Sequence, residues 1–389
     1  MGGWPARIGG AVMALVAVAA FADVATYDAR AWNSDFERLK SDMAQGYANL
    51  DWIAARRGLD LAALSRETAD DLDKAGSHVL AIAAINRFVD RFDDPHFQLA
   101  GQDRGAASVG DGTSPADPPA ADCAAAGYRE GRHGFRFPVQ RLPGWRPLAE
   151  GNFPAGLTGS TGILRIAEFG ENQYLSTCAA RFRPGMTERT LQLAVRAALQ
   201  AELRARLAQL RRAGAKKLVV DLSRNGGGSE WVAEAVPLFT ARKLERQAPR
   251  RVGAACDRRG VWEGRRPACP VFAAAGPPIR MAGKGDWKGP LLVLVDRDTA
   301  SASEDFVAWM KDNRAATIVG ARTFGAGCGY VDGGTRTRLR AFPRDVRMPN
   351  CARFLSDGTN EIEGIAADVD LPMTEPDKAA DALARLLAG

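Results

Sequence analysis

A pair of serines, Ser301 and Ser303, sits where an apolar run gives way to an amphipathic one. Leu291 to Val295 is short, continuous and bounded by a polar turn, which suits a buried strand, and beyond Ser301 the apolar spacing turns helical. A serine at a sharp strand-to-helix turn lies at a helix N-terminus, where unpaired N–H groups stabilise an anion. Such a serine can attack an acyl group, with the N–H groups receiving the charge that develops on the carbonyl oxygen. The same residue types also make a plain helix cap. A second stretch offers matching chemistry. Gly226, Gly227 and Gly228 follow the run Leu218 to Leu222 and precede a helical pattern, a place where backbone N–H groups converge on an oxyanion. They lack the Lys-[Ser/Thr] of a phosphate loop and the spacing of a dinucleotide site, and a tight turn is their other reading.

Several elements must position these turns. Residues 23–100 read as a small helical domain: Ser34-x-x-Glu37 has the form of a capping box, with Phe36, Leu39, Met43 and Tyr47 at helical spacing. Leu61 to Leu72 and Val79 to Phe92 continue the pattern, and the last helix stops at Asp94-Pro95, because the residue before proline avoids the helical region. His96 follows, then a short alternation at Phe97 and Leu99. Residues 101–160 read as a linker and a small irregular β region with one strand at Phe135 to Val139. From 161 to 389 strands alternate with helices, including a long one from Glu188 to Arg212 and another from Ser229 to Phe239. That order predicts an α/β core. Residues 241–286, rich in Arg, Gly and Pro, read as a surface insertion.

Composition excludes several classes. The 389 residues are 46% hydrophobic and 25% charged, with a net charge of +6 spread along the chain and no long basic stripe, so no nucleic-acid partner is expected. Residues 1–22 have the form of a signal peptide: Arg7, an apolar segment from Ile8 to Phe21, and a small-x-small site at Ala20-Phe21-Ala22. The apolar segment falls short of the roughly 20 residues of a spanning helix, so export without stable membrane insertion is expected, to the periplasm or medium. All six cysteines lie beyond it, an even count that suggests disulfides; the sequence-local pairs are Cys256–Cys269 and Cys328–Cys351, leaving Cys123–Cys178. Three histidines and no ligand-spaced cysteines predict neither a metal nor a cofactor.

Three motifs acquire meaning together. V-V-D-L-S-R-N-G-G-G, then L-L-V-L-V-D-x-x-T-A-S-A-S-E, then A-T-I-V-G-x-x-T-F-G-x-G resemble, in this order and over roughly residues 160–372, the C-terminal processing (tail-specific) serine peptidases. The resemblance implies a crotonase-like α/β core of mixed sheet and helices behind a helical N-terminal domain. It implies Ser301 as nucleophile, with Ser303 the lesser choice. The oxyanion hole it implies uses Ala302 N–H and a glycine-turn N–H, Gly227. A protein or peptide is the implied substrate. No complete PDZ domain fits between Ala100 and Gly162.

One departure changes the chemistry. Those enzymes carry a lysine base between the glycines of F-G-K-G, where this chain has Ala326. A methyl group accepts no proton, so either another base serves or the protein is an inactive relative that binds a peptide or small hydrophobic ligand. The chain is also similar to the tricorn-core branch of the superfamily, which uses Ser, His and Glu; its pattern implies His96 as base and Glu363 as orienter. Neutral imidazole can take the Ser301 proton, and a carboxylate on its other nitrogen fixes the tautomer. Glu361 competes with Glu363, and Asp312 matches an acidic position of the lysine-dependent enzymes. An acyl-CoA enzyme of crotonase type is a third reading, which export disfavours.

Overall fold

The computed structural model describes residues 24–101 and 119–388; the signal-like segment 1–22 and the first part of the 101–160 stretch lie outside them. The chain forms two compact units, one from the N-terminal residues with Arg250–Ala274 and Gly329–Ala352, the other from the remainder.

The second unit is built on a seven-stranded sheet in the order Val369–Asp370, Thr317–Gly320, Leu291–Val295, Lys217–Asp221, Thr161–Arg165, Ala155–Thr158, Arg146–Ala149. The first five strands are parallel and the last two pair antiparallel. Every residue of Leu291–Val295 is buried, as a parallel strand covered on both faces requires. On one face the helix Glu188–Arg212 buries Leu191, Val195, Leu199, Leu203, Leu207 and Leu210 completely. On the other, the helix Pro376–Ala388 packs Ala379, Ala380 and Leu383 with Val219, Leu294 and Val319. The α/β core with a helical region ahead of it is as the sequence predicts.

In the first unit four helices, Ala29–Gly46, Leu50–Arg57, Leu61–Lys74 and His78–Asp90, gather Trp32, Phe36, Phe88 and Phe92 into an aromatic core. A three-stranded antiparallel sheet, Gln98–Gly101, Arg344–Met348 and Thr335–Leu339, completes it.

Local details differ from the sequence reading. The first helix begins before Ser34: Asp28 caps it, accepting the N–H of Arg30 at 2.9 Å, so the apparent capping box is internal. Phe135 to Val139 forms no strand, and Val139–Arg141 is a single 3-10 turn. The helix expected from Ser229 to Phe239 is α only over Val232–Ala235 and tightens to 3-10 at Pro237, which lacks an N–H. The 241–286 stretch is not one surface insertion. Its ends, Lys243–Arg246 and Ile279–Ala282, form a two-stranded sheet in the second unit, while 250–274 belongs to the first. There Arg258 is buried, donating to the carbonyls of Met43, Ala44 and Tyr47 and pairing with Asp51 at 2.7 Å. A long arginine closes the open carbonyls of a helix end, and hydropathy does not foresee that use.

Cys123 pairs with Cys178, and Cys256 with Cys269, and no described cysteine is free. The first bridge closes a loop of 55 residues in sequence, so replacing both its cysteines with serine is expected to lower the unfolding free energy by about 2–4 kcal/mol. Urea denaturation of the double variant measures it.

Candidate active site

The sheet order gathers the three motifs. Lys217–Asp221, Leu291–Val295 and Thr317–Gly320 are neighbouring parallel strands, so the glycine turn, the serine turn and the Phe324 turn emerge side by side at their C-terminal ends. That is the end at which open parallel sheets place their sites.

Ser301 is the N-cap of the helix Ala302–Asp312 and has φ 56°, ψ −114°. This is a conformation that L-residues avoid and that surrounding structure must impose. A serine held so on a strand-to-helix turn is the arrangement of a nucleophile elbow. Gly227 imposes part of it. With φ +107°, it lies so close to the serine turn that a Cβ there would stand 2.7 Å from Ala300 O, 2.8 Å from Ala302 N and 2.8 Å from Ser301 Cβ.

The donors around this turn are distributed in a way the sequence did not foretell. Gly227 N–H donates to Asn225 Oδ1 at 2.9 Å, so it is already engaged. Gly227 C=O accepts from Phe169 N–H at 2.7 Å, and across a trans peptide the N–H of Gly228 points the opposite way. Ala302 is the first residue of its helix, where N–H groups have no intrahelical acceptor.

Glu304 ends the serine motif S-A-S-E, and its spacing by itself assigns it no role. Its buried carboxylate ties the serine turn to the third motif. Oε1 accepts Thr323 Oγ1 at 2.6 Å and Gly325 N at 2.7 Å; Oε2 accepts Ser301 N at 2.9 Å, Ala326 N at 2.9 Å and Gly327 N at 3.3 Å. Burial raises its pKa, against the pull of these donors and of the Arg353 charge. The Ser-x-x-Glu spacing was the signal that could have found it. Ala326, at the lysine position, is buried in this turn.

Arg353 makes a second tie. Its Nη2 donates to Ser301 O at 3.1 Å and Gly327 O at 2.9 Å, while Nε pairs with Glu361 Oε2 at 2.7 Å and Nη1 with Asp305 Oδ1 at 3.3 Å. Arg246 contacts the same two carboxylates. Burial pushes Asp305 up and Arg246 well down. Glu361 is thus fully buried between two guanidinium groups and serves this cluster.

Three more sequence candidates, Ser303, Asp312 and Glu363, lie in the second unit. Ser303 is fully buried, and its Oγ has no hydrogen-bond partner among the described residues; an enclosed hydroxyl cannot meet a peptide. Asp312 lies at the far end of the serine helix, about 16 Å along its axis. It accepts Ser356 N at 2.9 Å and Oγ at 3.0 Å, beside a polar cleft of about 980 Å³ at the N-terminal ends of the strands Leu291–Val295 and Thr317–Gly320. Glu363 is half-buried in the turn Glu361–Glu363, which Asn360 caps.

His96 belongs to the first unit. Asp94-Pro95-His96-Phe97 forms a tight turn closed by Phe97 N–H to Asp94 O at 3.0 Å, with His96 N–H donating to Asp94 Oδ1 at 2.9 Å. His96 Nδ1 stands 3.8 Å from the same oxygen. Tyr330 donates its hydroxyl to His96 O at 2.6 Å and sets its ring edge-on to the imidazole. The other two histidines have structural partners: Trp32 and Thr26 for His78, and for His133 Glu130 with the face of Tyr174.

The profile of peptidase family S41 matches residues 160–371, more than half of the chain. The chain belongs to peptidase family S41. The tail-specific protease of Haemophilus influenzae is 30% identical over 174 residues, 43% of this chain and 22% of that protein. A carboxyl-terminal-processing protease of Picosynechococcus sp. is 32% identical over 130 residues, 31% of this chain and 24% of its own length. The matches therefore span about a quarter or less of each of these relatives. Among solved structures, mature CPAF complexed with lactacystin superposes with a TM-score of 0.64 at 15% identity, covering 92% of this S41 chain and 98% of that one. At that identity the likeness is one of fold. The relatives of this S41 member are serine peptidases acting on proteins or peptides, and no described helix is long and apolar enough to cross a membrane.

Proposed function

We propose that this protein is an exported serine peptidase that hydrolyses peptide bonds through an acyl-enzyme on Ser301. The backbone of Ser301, strained at a strand-to-helix turn and tied by Glu304 and Arg353, carries the reading. Ser301 Oγ attacks the scissile carbonyl while His96 takes its proton, then returns it to the leaving amine; water releases the acyl group by the same path. Ala302 N–H and Gly228 N–H receive the oxyanion, Gly228 replacing Gly227, whose N–H Asn225 occupies. Glu363 is a further carboxylate of the site. His96 is favoured as base because the family lysine is Ala326 and the second unit's own histidine, His133, is held against Tyr174 and Glu130. The even set of cysteines, none free among those described, supports export.

A fluorophosphonate probe tests this. Labelling of wild type, its loss in Ser301→Ala, and a labelling rate at least about 100-fold lower in His96→Ala are expected. Ala326 motivates the second reading, a peptide-binding relative without activity. Folded wild-type protein that takes no label establishes that reading instead.

A further inference from the structure

We propose that Asp94 is the carboxylate that positions the His96 imidazole. The inference rests on His96 being the base of the reaction, and it places the orienting group in the histidine's own turn.

The turn builds the pair from local sequence. Proline fixes the second position of a four-residue turn, and an aspartate at the first accepts the N–H two residues on. Both bonds are present: Phe97 N–H to Asp94 O at 3.0 Å and His96 N–H to Asp94 Oδ1 at 2.9 Å. This geometry brings the imidazole back over the aspartate, with Nδ1 3.8 Å from Oδ1. Asp94 has a fully enclosed side chain, and its other oxygen accepts Tyr47 Oη–H at 2.7 Å. The carboxylate is therefore held from both sides, by the His96 N–H and the Tyr47 hydroxyl, with Oδ1 in ion-pair range of the ring. Burial raises the Asp94 pKa, while His96, the Tyr47 hydroxyl and Arg57 oppose that rise.

The ring itself is confined. A Cβ at position 329 would stand 2.9 Å from both Cδ2 and Nε2 of His96, so Gly329 leaves only enough room for the ring as it lies. Tyr330 holds the backbone of His96 and faces the ring with its edge, and Arg347 covers the Tyr330 ring at 3.7 Å. Asp94 and Tyr330 face the imidazole; Tyr47 and Arg57 act on Asp94, and Arg347 and Arg336 on Tyr330. Asp94 brings a carboxylate within ion-pair range of Nδ1, at 3.8 Å.

When the ring takes a proton, this carboxylate stabilises the imidazolium and keeps the proton-bearing nitrogen on its own side. Proton NMR titration of the imidazole Cε1–H signals of the full chain reads this without any turnover, with His96→Asn assigning the signal among three histidines. Asp94→Asn is expected to lower the His96 pKa by about one unit or more, and Glu363→Gln to leave it in place. Tyr47→Phe, which removes a donor from Asp94 and keeps the charge, is expected to raise it by a few tenths and covers the case in which Asp94→Asn does not fold. A His96 pKa within about 0.3 unit of wild type in Asp94→Asn, or a fall in Tyr47→Phe, overturns the proposal. The peptidase reading is decided separately, by the Ser301 probe. If both hold, the acid limb of the labelling rate moves to lower pH in Asp94→Asn by the same interval.

Discussion

Glu304→Gln is expected to destabilise the protein by about 3 kcal/mol although the side chain keeps its shape and size. Each carboxylate oxygen faces only donors: Thr323 Oγ1 and Gly325 N at one, Ser301 N, Ala326 N and Gly327 N at the other. An amide must put its NH2 against one of these sets. The better choice is the Thr323 side, because that hydroxyl can turn and accept, yet Gly325 N–H is still left without a partner. A buried unsatisfied N–H costs about 1–3 kcal/mol, and the remaining bonds lose their charge assistance. Glu304→Leu leaves all the donors unpaired and belongs in the exceptional range above about 4 kcal/mol. Urea unfolding followed by tryptophan fluorescence measures both, since Trp231, Trp287 and Trp309 are buried in the same unit. A Glu304→Gln midpoint equal to that of wild type would show that the carboxylate does not hold the two turns together.

Gly227→Ala is expected to slow Ser301 labelling about 100-fold while costing less stability than Glu304→Leu. The added Cβ meets backbone at Ala300 O and Ala302 N and the Cβ of Ser301, all within 2.8 Å. No flexible side chain can move away, so either the glycine turn or the serine turn must shift. The φ of +107° adds strain of order 1–3 kcal/mol for a residue with a Cβ. Displacing a nucleophile by about 1 Å costs on the order of 100-fold in rate, since reaction needs near-contact distances and alignment. The second-order rate constant for fluorophosphonate labelling gives the answer, with circular dichroism reporting the fold. Unchanged labelling would remove Gly227 from the set of residues that shape the site.

Both effects arise from contacts between turns far apart in sequence, which marks where sequence reasoning stopped. Each strand–turn–helix unit was legible by itself, because apolar runs, glycines and caps act over a few residues. Asp94-Pro95-His96 was legible too, as a helix stop followed by a turn. Ser34-x-x-Glu37 misled, since a capping box and a mid-helix Ser/Glu pair have the same spacing, and Asp28 holds the cap. Ser301-x-x-Glu304 has that spacing as well, and there Glu304 Oε2 does take the Ser301 N–H. Spacing alone does not separate the two cases; the buried environment does. Glu361 and Glu363 stand two positions apart, and only packing shows that Glu361 lies wholly between Arg246 and Arg353. Arg258 in an Arg/Gly/Pro-rich stretch looked solvated, yet it ends in the carbonyls of a helix terminus.

The sequence by itself determined the family, the α/β core, the serine at a strand-to-helix turn and the loss of lysine at Ala326, because these rest on local patterns. Tertiary structure decided the rest. It set the three motif strands side by side, gave Gly227 N–H to Asn225, and made Glu304 the anchor of the turn that carries Ala326. The physical reason is that hydrogen-bond partners and steric clearances across a parallel sheet depend on strand order, and strand order is not encoded in the spacing of any one segment.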